Sequence, residues 1–233
     1  MFKRHKTFNT CYILIWVLNV YALATQNEIL RMVSMPLIGM SLMFYLLIKT
    51  KIEDNFQKLI FVGLVVSLAG DIQLLFSTGT EFYFYTAIVA AFIGYILYAW
   101  AYFIDFRKDF NGTRRIGNGL ALVLLISICT FFFSAHKNLL DFRYPIIIYF
   151  SILSVMTILS GYRHQRVNRL SFKLILTGSF AFVISDLSIT YYHFINKEAI
   201  MMITYLLTYL IAQYLVVIGT IERRRSNDLE PVD

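Results

Sequence analysis

The chain has 233 residues, of which 58% are hydrophobic, 17% aromatic and only 15% charged. Soluble globular domains carry about 25% charged residues, so this composition excludes an ordinary soluble enzyme and indicates an integral membrane protein. The net charge of +7 would suit a nucleic-acid partner, but the basic residues fall in short loops between apolar segments. We therefore expect membrane lipid as a partner and no nucleic acid.

Eight apolar segments follow one another along nearly the whole chain. A bilayer core about 30 Å thick requires about 20 apolar residues per spanning helix, and unpaired backbone groups are too costly in lipid for an open strand. The sequence therefore predicts an all-α integral membrane fold with eight transmembrane helices, at residues 9–25, 29–49, 58–77, 81–103, 116–135, 143–162, 171–194 and 199–221. We expect one transmembrane domain over residues 1–225 and a short cytoplasmic tail at 226–233.

Basic residues mark one side of the predicted membrane domain. Seventeen of the 21 lysines and arginines lie before span one, around the loops that follow spans two, four and six, or after span eight. The positive-inside rule then places both termini in the cytoplasm. The first span resembles a signal peptide, but the next span follows within a few residues, so we expect an uncleaved helix. The expected location is a cell membrane, the plasma membrane if the source is bacterial.

The two halves of the chain share one spacing. Gly63 precedes Asp71 by eight residues, and Gly178 precedes Asp186 by eight. Two four-helix halves in parallel orientation would produce this pattern, as they do in some transporters. Chance, or the shared chemistry of two similar helices, would produce it as well.

Two acidic residues lie well inside predicted spans. Twelve of the 14 acidic residues fall in loops, helix ends or tails, whereas Asp71 and Asp186 do not. A carboxylate near the bilayer centre costs about 2.5–3.5 kcal/mol on insertion scales, so we expect both to face the helix bundle. At 1.5 Å per residue, both lie roughly 9–12 Å below the outer helix ends. They are predicted to meet around one wet cavity; a purely structural hydrogen bond is the alternative.

Other polar side chains are predicted at the same depth, because helical spacing brings them to the level of the two aspartates. These candidate substrate-binding residues are Tyr149, Tyr205, Tyr209, Gln213, Ser67 and Thr190. Tyr95, Tyr98 and Tyr102 line span four deeper in the bilayer, where packing explains a tyrosine better than chemistry does. Two carboxylates without His or Cys at ligand spacing make a poor metal site, so we expect no metal and no cofactor.

At these positions the sequence resembles the YhhN family of membrane proteins, whose characterised members are lysoplasmalogenases. The matching segments are Met35-Pro36-Leu37, SLAGDIQL at 67–74, 92–98, Tyr149, GSFAFVISD at 178–186 and TYLIAQ at 208–213. The order and spacing of these motifs, rather than any one of them, carry the resemblance. Two positions depart from the family pattern: Met35 stands in place of a lysine, and Tyr95 in place of a frequent histidine.

The resemblance implies hydrolysis of the vinyl ether bond of a lysoplasmalogen, with a lysophospholipid-like molecule as the substrate. Asp71 and Asp186 would be the catalytic acid and base, in an order that the sequence leaves open. The same carboxylates would also suit a proton-coupled transporter or a lipid-binding membrane protein, because intramembrane acids often relay protons. A structural membrane protein without chemistry would leave both carboxylates unexplained.

Overall fold

The computed structural model describes residues 4–76, 81–107, 114–135, 139 and 142–225, and these residues form eight α-helices and no strand. All eight helices are long and apolar enough to cross a membrane. The predicted all-α, multi-pass membrane fold is therefore confirmed, whereas the orientation of the termini and the internal repeat stay predictions. The helices are α1 Lys6–Ala24, α2 Glu28–Thr50, α3 Asn55–Leu75, α4 Glu81–Arg107, α5 Arg115–Ala135, α6 Arg143–Tyr162, α7 Arg169–Phe194 and α8 Ala199–Ile221.

Several helices extend beyond the apolar segments that predicted them, because polar residues cap or complete their ends. The Asp54 side chain accepts a hydrogen bond from the Phe56 amide at 3.3 Å, and Gln57 Oε1 accepts one from the Asp54 amide at 3.2 Å. This reciprocal capping box starts α3 three residues before the predicted position. Residue 77, the predicted end of span three, and the predicted tail at 226–233 lie outside the described residues.

The chain divides into two compact units, Met1–Gly94 and Tyr95–Asp233, with the boundary inside α4. The single domain predicted for residues 1–225 stays a prediction. In the first unit, α2 packs against both α1 and α3. A buried hydrogen bond of 2.9 Å from Asn19 Nδ2 to Ser34 Oγ joins α1 to α2. Gly70 permits close packing of α3 on α4, because a Cβ there would lie 3.3 Å from the Ala87 carbonyl oxygen.

The second unit is held at one end by a buried ionic network, which we call the charge cluster (Asp105, Arg163, Ser171 and Arg223). Arg163 Nε donates to Asp105 Oδ2 at 3.0 Å, and Arg223 Nη2 donates to Asp105 Oδ1 at 2.5 Å. Arg163 Nη2 also donates to Ser171 Oγ at 3.1 Å, and that hydroxyl donates to the Gly219 carbonyl at 2.7 Å. The network thus joins the ends of α4, α6, α7 and α8.

Asp105 is a buried acidic residue that hydropathy did not single out. It was counted among the twelve acidic residues in loops, helix ends or tails, and it does lie two residues before the end of α4, yet it is only 3% exposed. Its two arginine partners follow α6 and α8, far away in sequence. The helix α4 continues to Arg107 rather than ending at the predicted residue 103.

The segment that follows α8 returns to the loop between α6 and α7. The Asn168 amide donates to the Arg224 carbonyl at 2.9 Å, and the Arg224 amide donates to Asn168 Oδ1 at 2.8 Å. An isolated antiparallel bridge between Val167 and Arg225 continues this contact. The backbone of residues 224–225 is therefore bound to the segment that leads into α7.

Removal of one cation from the charge cluster is expected to destabilise the second unit. Arg163→Ala leaves Asp105 buried with one cation fewer, and breaking a buried ion pair costs about 3–5 kcal/mol. The measurement is the free energy of unfolding in mixed micelles. Arg169→Ala, which removes an exposed arginine at the start of α7, is the matched control and should cost less than about 1 kcal/mol. Equal losses in the two variants would contradict a stabilising role for the cluster.

Candidate active site

Asp186 lies on the buried face of α7, in the second unit. It is eight residues before the helix ends at Phe194, which is about 12 Å along the axis and agrees with the predicted depth. Only 4% of the residue is exposed. A carboxylate this deeply buried requires polar partners, because burial of an unpaired polar group is costly.

Two tyrosine hydroxyls meet the Asp186 carboxylate. Tyr149 of α6 donates a hydrogen bond to Asp186 Oδ2 at 2.8 Å, which agrees with its predicted place at the site. Tyr95 of α4 also hydrogen-bonds with Asp186. The Tyr95 and Tyr149 rings pack edge to face, with centroids 5.8 Å apart. Asp186 therefore receives hydrogen-bond donors from two different helices.

Tyr95 is a site residue that the sequence analysis assigned to packing. It was placed deeper than the aspartates, yet its hydroxyl reaches Asp186. A tyrosine side chain spans more than one helical turn, so a depth taken from the backbone position alone misplaces its hydroxyl. The signal that could have revealed it was its departure from the family pattern, since Tyr95 stands where that pattern often has a polar histidine.

A second set of hydrogen bonds involves α8. Tyr98 OH donates to Gln213 Oε1 at 3.0 Å, and Gln213 Nε2 donates to Tyr209 OH at 3.0 Å. The Tyr209 ring stacks on that of Tyr205, with centroids 5.9 Å apart. Phe182 of α7 packs against the ring of Tyr209 at 6.0 Å and against that of Tyr95 at 5.3 Å. The predicted stripe on α8 thus lies in one polar and aromatic layer with the Asp186 group.

The remaining candidate residues have less defined surroundings. Thr190 lies one turn beyond Asp186 on α7 and is partly exposed. Asp71 and Ser67 lie on α3 in the first unit, where both are partly exposed. Ser67 faces α4, because its Oγ lies 3.0 Å from the position that a Cβ on Gly94 would occupy.

Because α3 ends at Leu75, Asp71 lies about 6 Å from the helix end, closer than predicted. The meeting of Asp71 with Asp186 stays a prediction.

Gly178, eight residues before Asp186, has a packing role. A Cβ at this position would lie 3.1 Å from the Ala212 carbonyl oxygen, 3.1 Å from Val216 and 3.2 Å from Leu215. The absence of a side chain therefore allows α8 to approach α7 closely. Since Gln213 follows Ala212, this contact also sets the distance of the Gln213 side chain from α7.

The arrangement suits proton transfer to and from a buried carboxylate. Tyrosine and glutamine side chains around it can orient a water molecule or an ether oxygen. Within the part of the chain that the structure describes, no group of three or more His, Cys, Asp or Glu residues is placed to hold a metal ion. The residues around Asp186 supply carboxylate, hydroxyl and amide groups.

The chain was compared with models of protein families, with curated proteins and with solved structures. A model of the YhhN family matches residues 29–220, from the start of α2 to the end of α8. No curated protein and no solved structure matches the chain. The matched region contains both aspartates and all the candidate residues around them.

A larger side chain at Gly178 is expected to separate α7 from α8. Gly178→Leu should lower the free energy of unfolding by about 1–3 kcal/mol, because the backbone carbonyl of Ala212 cannot move aside. Gly119→Leu on α5 is the matched control, since a Cβ there meets no atom within 4 Å. Thermal unfolding in detergent would measure both, and equal stability of the two variants would contradict the packing role.

Proposed function

Because this chain belongs to the YhhN family, we propose that it is a membrane-embedded hydrolase that cleaves the vinyl ether bond of lysoplasmalogens or of a related lysolipid ether. The observation that carries the proposal is the buried Asp186 carboxylate with its hydrogen bond from Tyr149. Asp71 supplies the second carboxylate. The membrane is a cell membrane, the plasma membrane if the source is bacterial.

Vinyl ether hydrolysis requires one acid and one base. The acid adds a proton to the alkene carbon farther from the oxygen and leaves an oxocarbenium ion. Water bonds to the carbon beside the oxygen, and the second carboxylate takes the proton that the water loses. In the hemiacetal, the first carboxylate takes the hydroxyl proton and the second returns its proton to the ether oxygen as the C–O bond breaks. A fatty aldehyde and a glycerophospho-alcohol leave, and both aspartates regain their starting protonation.

The residues around Asp186 suit these steps. Tyr149 orients the carboxylate, and Tyr209 and Gln213 provide hydroxyl and amide groups that can hold the water or the ether oxygen. The low-dielectric surroundings strengthen every electrostatic interaction with the developing cation. The same environment limits competing reactions with bulk water.

The outward faces of the site helices suit a lipid substrate. Ile184 on α7 and Ile211 on α8 are both exposed, and each lies two residues from a polar residue of the buried layer. Apolar outward faces of this kind contact acyl chains in a bilayer. A single-chain lipid could therefore approach the carboxylate laterally from the membrane.

A proton-coupled transporter is the second candidate, and the shared Gly-to-Asp spacing of the two halves favours it. In that case the two carboxylates would carry protons across the membrane together with a substrate. The hydrolase is preferred because the family motifs cover most of the chain.

The two candidate functions make different predictions for purified protein. In detergent, wild-type protein given a lysoplasmalogen should release aldehyde, and Asp186→Asn or Asp71→Asn should lower kcat by about 10²–10⁴-fold, because each removes a proton-transfer group. Glu28→Gln, which alters an exposed acidic residue at the start of α2, is the control and should retain full activity. No aldehyde from wild type, together with substrate-linked proton flux in proteoliposomes, would favour transport instead.

The proposed pairing of the aspartates is tested by cross-linking. Cys11 and Cys129 are free and exposed, so they are first replaced by serine. Asp71→Cys together with Asp186→Cys should then be joined in high yield by a short bifunctional thiol reagent, as detected by mass spectrometry. Ile72→Cys with Asp186→Cys is the control, since Ile72 is an exposed neighbour on α3. Equal yields for the two pairs would argue against a shared cavity.

A further inference from the structure

Three basic side chains lie at the end of the second unit that is nearer to Asp186. They are Arg143 at the start of α6, His193 in the last turn of α7 and Lys197 in the loop before α8, and all three are exposed. We call this group the cationic rim. Arg143 and Lys197 are two of only four basic residues that the positive-inside pattern assigns to the side opposite the termini. Neither the proposed hydrolysis nor the predicted orientation of the helices explains why Arg143 and Lys197 are basic.

The packing of the helix ends brings the rim together. The Phe142 ring, just before α6, packs against Phe194 at the end of α7 with centroids 5.6 Å apart. This contact places Arg143 and His193 at neighbouring helix ends. His193 also lies close enough to Lys197 for their charges to interact. Among the described residues, Glu198 is an acidic residue next to the rim, and it accepts a hydrogen bond from Asn196 Nδ2 at 2.7 Å.

The helix starts at this end add to the positive potential. Both α6 and α8 begin here; α6 has no side-chain hydrogen bond at its N-cap residue, whereas the N-cap residue of α8 is the acidic Glu198. Helix N-termini carry partial positive charge, which favours a nearby anion. Together with Arg143 and Lys197, the start of α6 makes this end of the second unit suitable for a phosphate group.

The distance from the rim to the carboxylate matches the dimensions of a lysolipid. His193 is seven residues beyond Asp186, and Arg143 is six residues before Tyr149, so the rim lies about 9–11 Å from the carboxylate layer along the helix axes. In a lysoplasmalogen, seven covalent bonds separate the phosphorus from the vinyl carbon that receives the proton. Seven bonds of an extended chain span about 8–9 Å.

We infer that the cationic rim binds the phosphodiester of the lysolipid head group, and that this contact places the vinyl ether at Asp186. The inference rests on the proposed function and adds the part of the substrate that the rim recognises. The alkyl chain then continues along the helices toward the charge cluster, which lies at the opposite end of the same four helices. Substrate would enter from the membrane leaflet on the rim side.

A binding experiment tests the rim without any need for catalysis. The probe is a 1-O-alkyl lysophospholipid, whose saturated ether cannot be protonated and hydrolysed, and its reference is the 1-O-alkylglycerol that lacks the phosphate. Arg143→Gln combined with Lys197→Gln should raise the Kd of the lysophospholipid at least tenfold, because charge-assisted hydrogen bonds to the phosphate are lost. The Kd of the alkylglycerol should not change.

Lys173→Gln is the matched control, because it removes an exposed lysine from the other end of α7. It should leave both Kd values as in wild type. An unchanged Kd for the lysophospholipid in the rim variant would overturn the inference. Competition by inorganic phosphate at concentrations near the Kd of the lipid would overturn it as well, since the site would then belong to free phosphate.

Kinetics separate the inference from the proposed function. If wild type hydrolyses a lysoplasmalogen, the rim variant should show a KM raised about tenfold with kcat within about twofold, because phosphate binding is the same in ground and transition state. With a 1-O-alkenylglycerol as substrate, the variant and wild type should be equal. Failure of wild type to release aldehyde would reject the hydrolase, and the binding experiment would still decide the role of the rim.

Discussion

The arrangement of the second unit depends on one constraint: a carboxylate buried in an apolar helix bundle must be hydrogen-bonded. Asp186 meets this requirement through hydroxyl groups that α4 and α6 supply. Those donors have to come from neighbouring helices, because the backbone donors of α7 are used within the helix. The carboxylate therefore fixes which faces of the surrounding helices turn inward.

Hydropathy was sufficient to predict the fold, because each membrane-spanning helix requires about 20 consecutive apolar residues. Helical spacing also predicted Tyr149, Tyr209 and Gln213 at the depth of Asp186, and Tyr149 does hydrogen-bond with that carboxylate, whereas the roles of all three stay predictions. Tyr95 was not predicted to contact Asp186, because a tyrosine side chain spans more than one helical turn and its hydroxyl therefore lies at a different depth from its backbone. Asp105 was missed for a different reason. Its partners, Arg163 and Arg223, are distant in sequence, and hydropathy does not reveal which loops meet.

The helices α4, α6, α7 and α8 carry polar groups at two depths, and the two groups differ in their chemistry. The charge cluster joins permanently charged arginines to a carboxylate, which suits a fixed structural contact. The Asp186 layer contains hydroxyl and amide groups whose protons can be exchanged or redirected. About 22 Å of α7 separates Ser171 of the cluster from Asp186. This separation keeps the two arginines of the charge cluster away from the carboxylate that the proposed reaction uses, while both levels hold the same helices together.

The bond between Arg223 and Asp105 also has a consequence for biosynthesis. The two residues are 118 positions apart, so a ribosome adds about half of the protein after Asp105 before it reaches the second arginine. Until then the end of α4 holds an incompletely neutralised acid beside the bilayer. The end of α4 therefore completes its ionic contacts only after Arg223 has been translated.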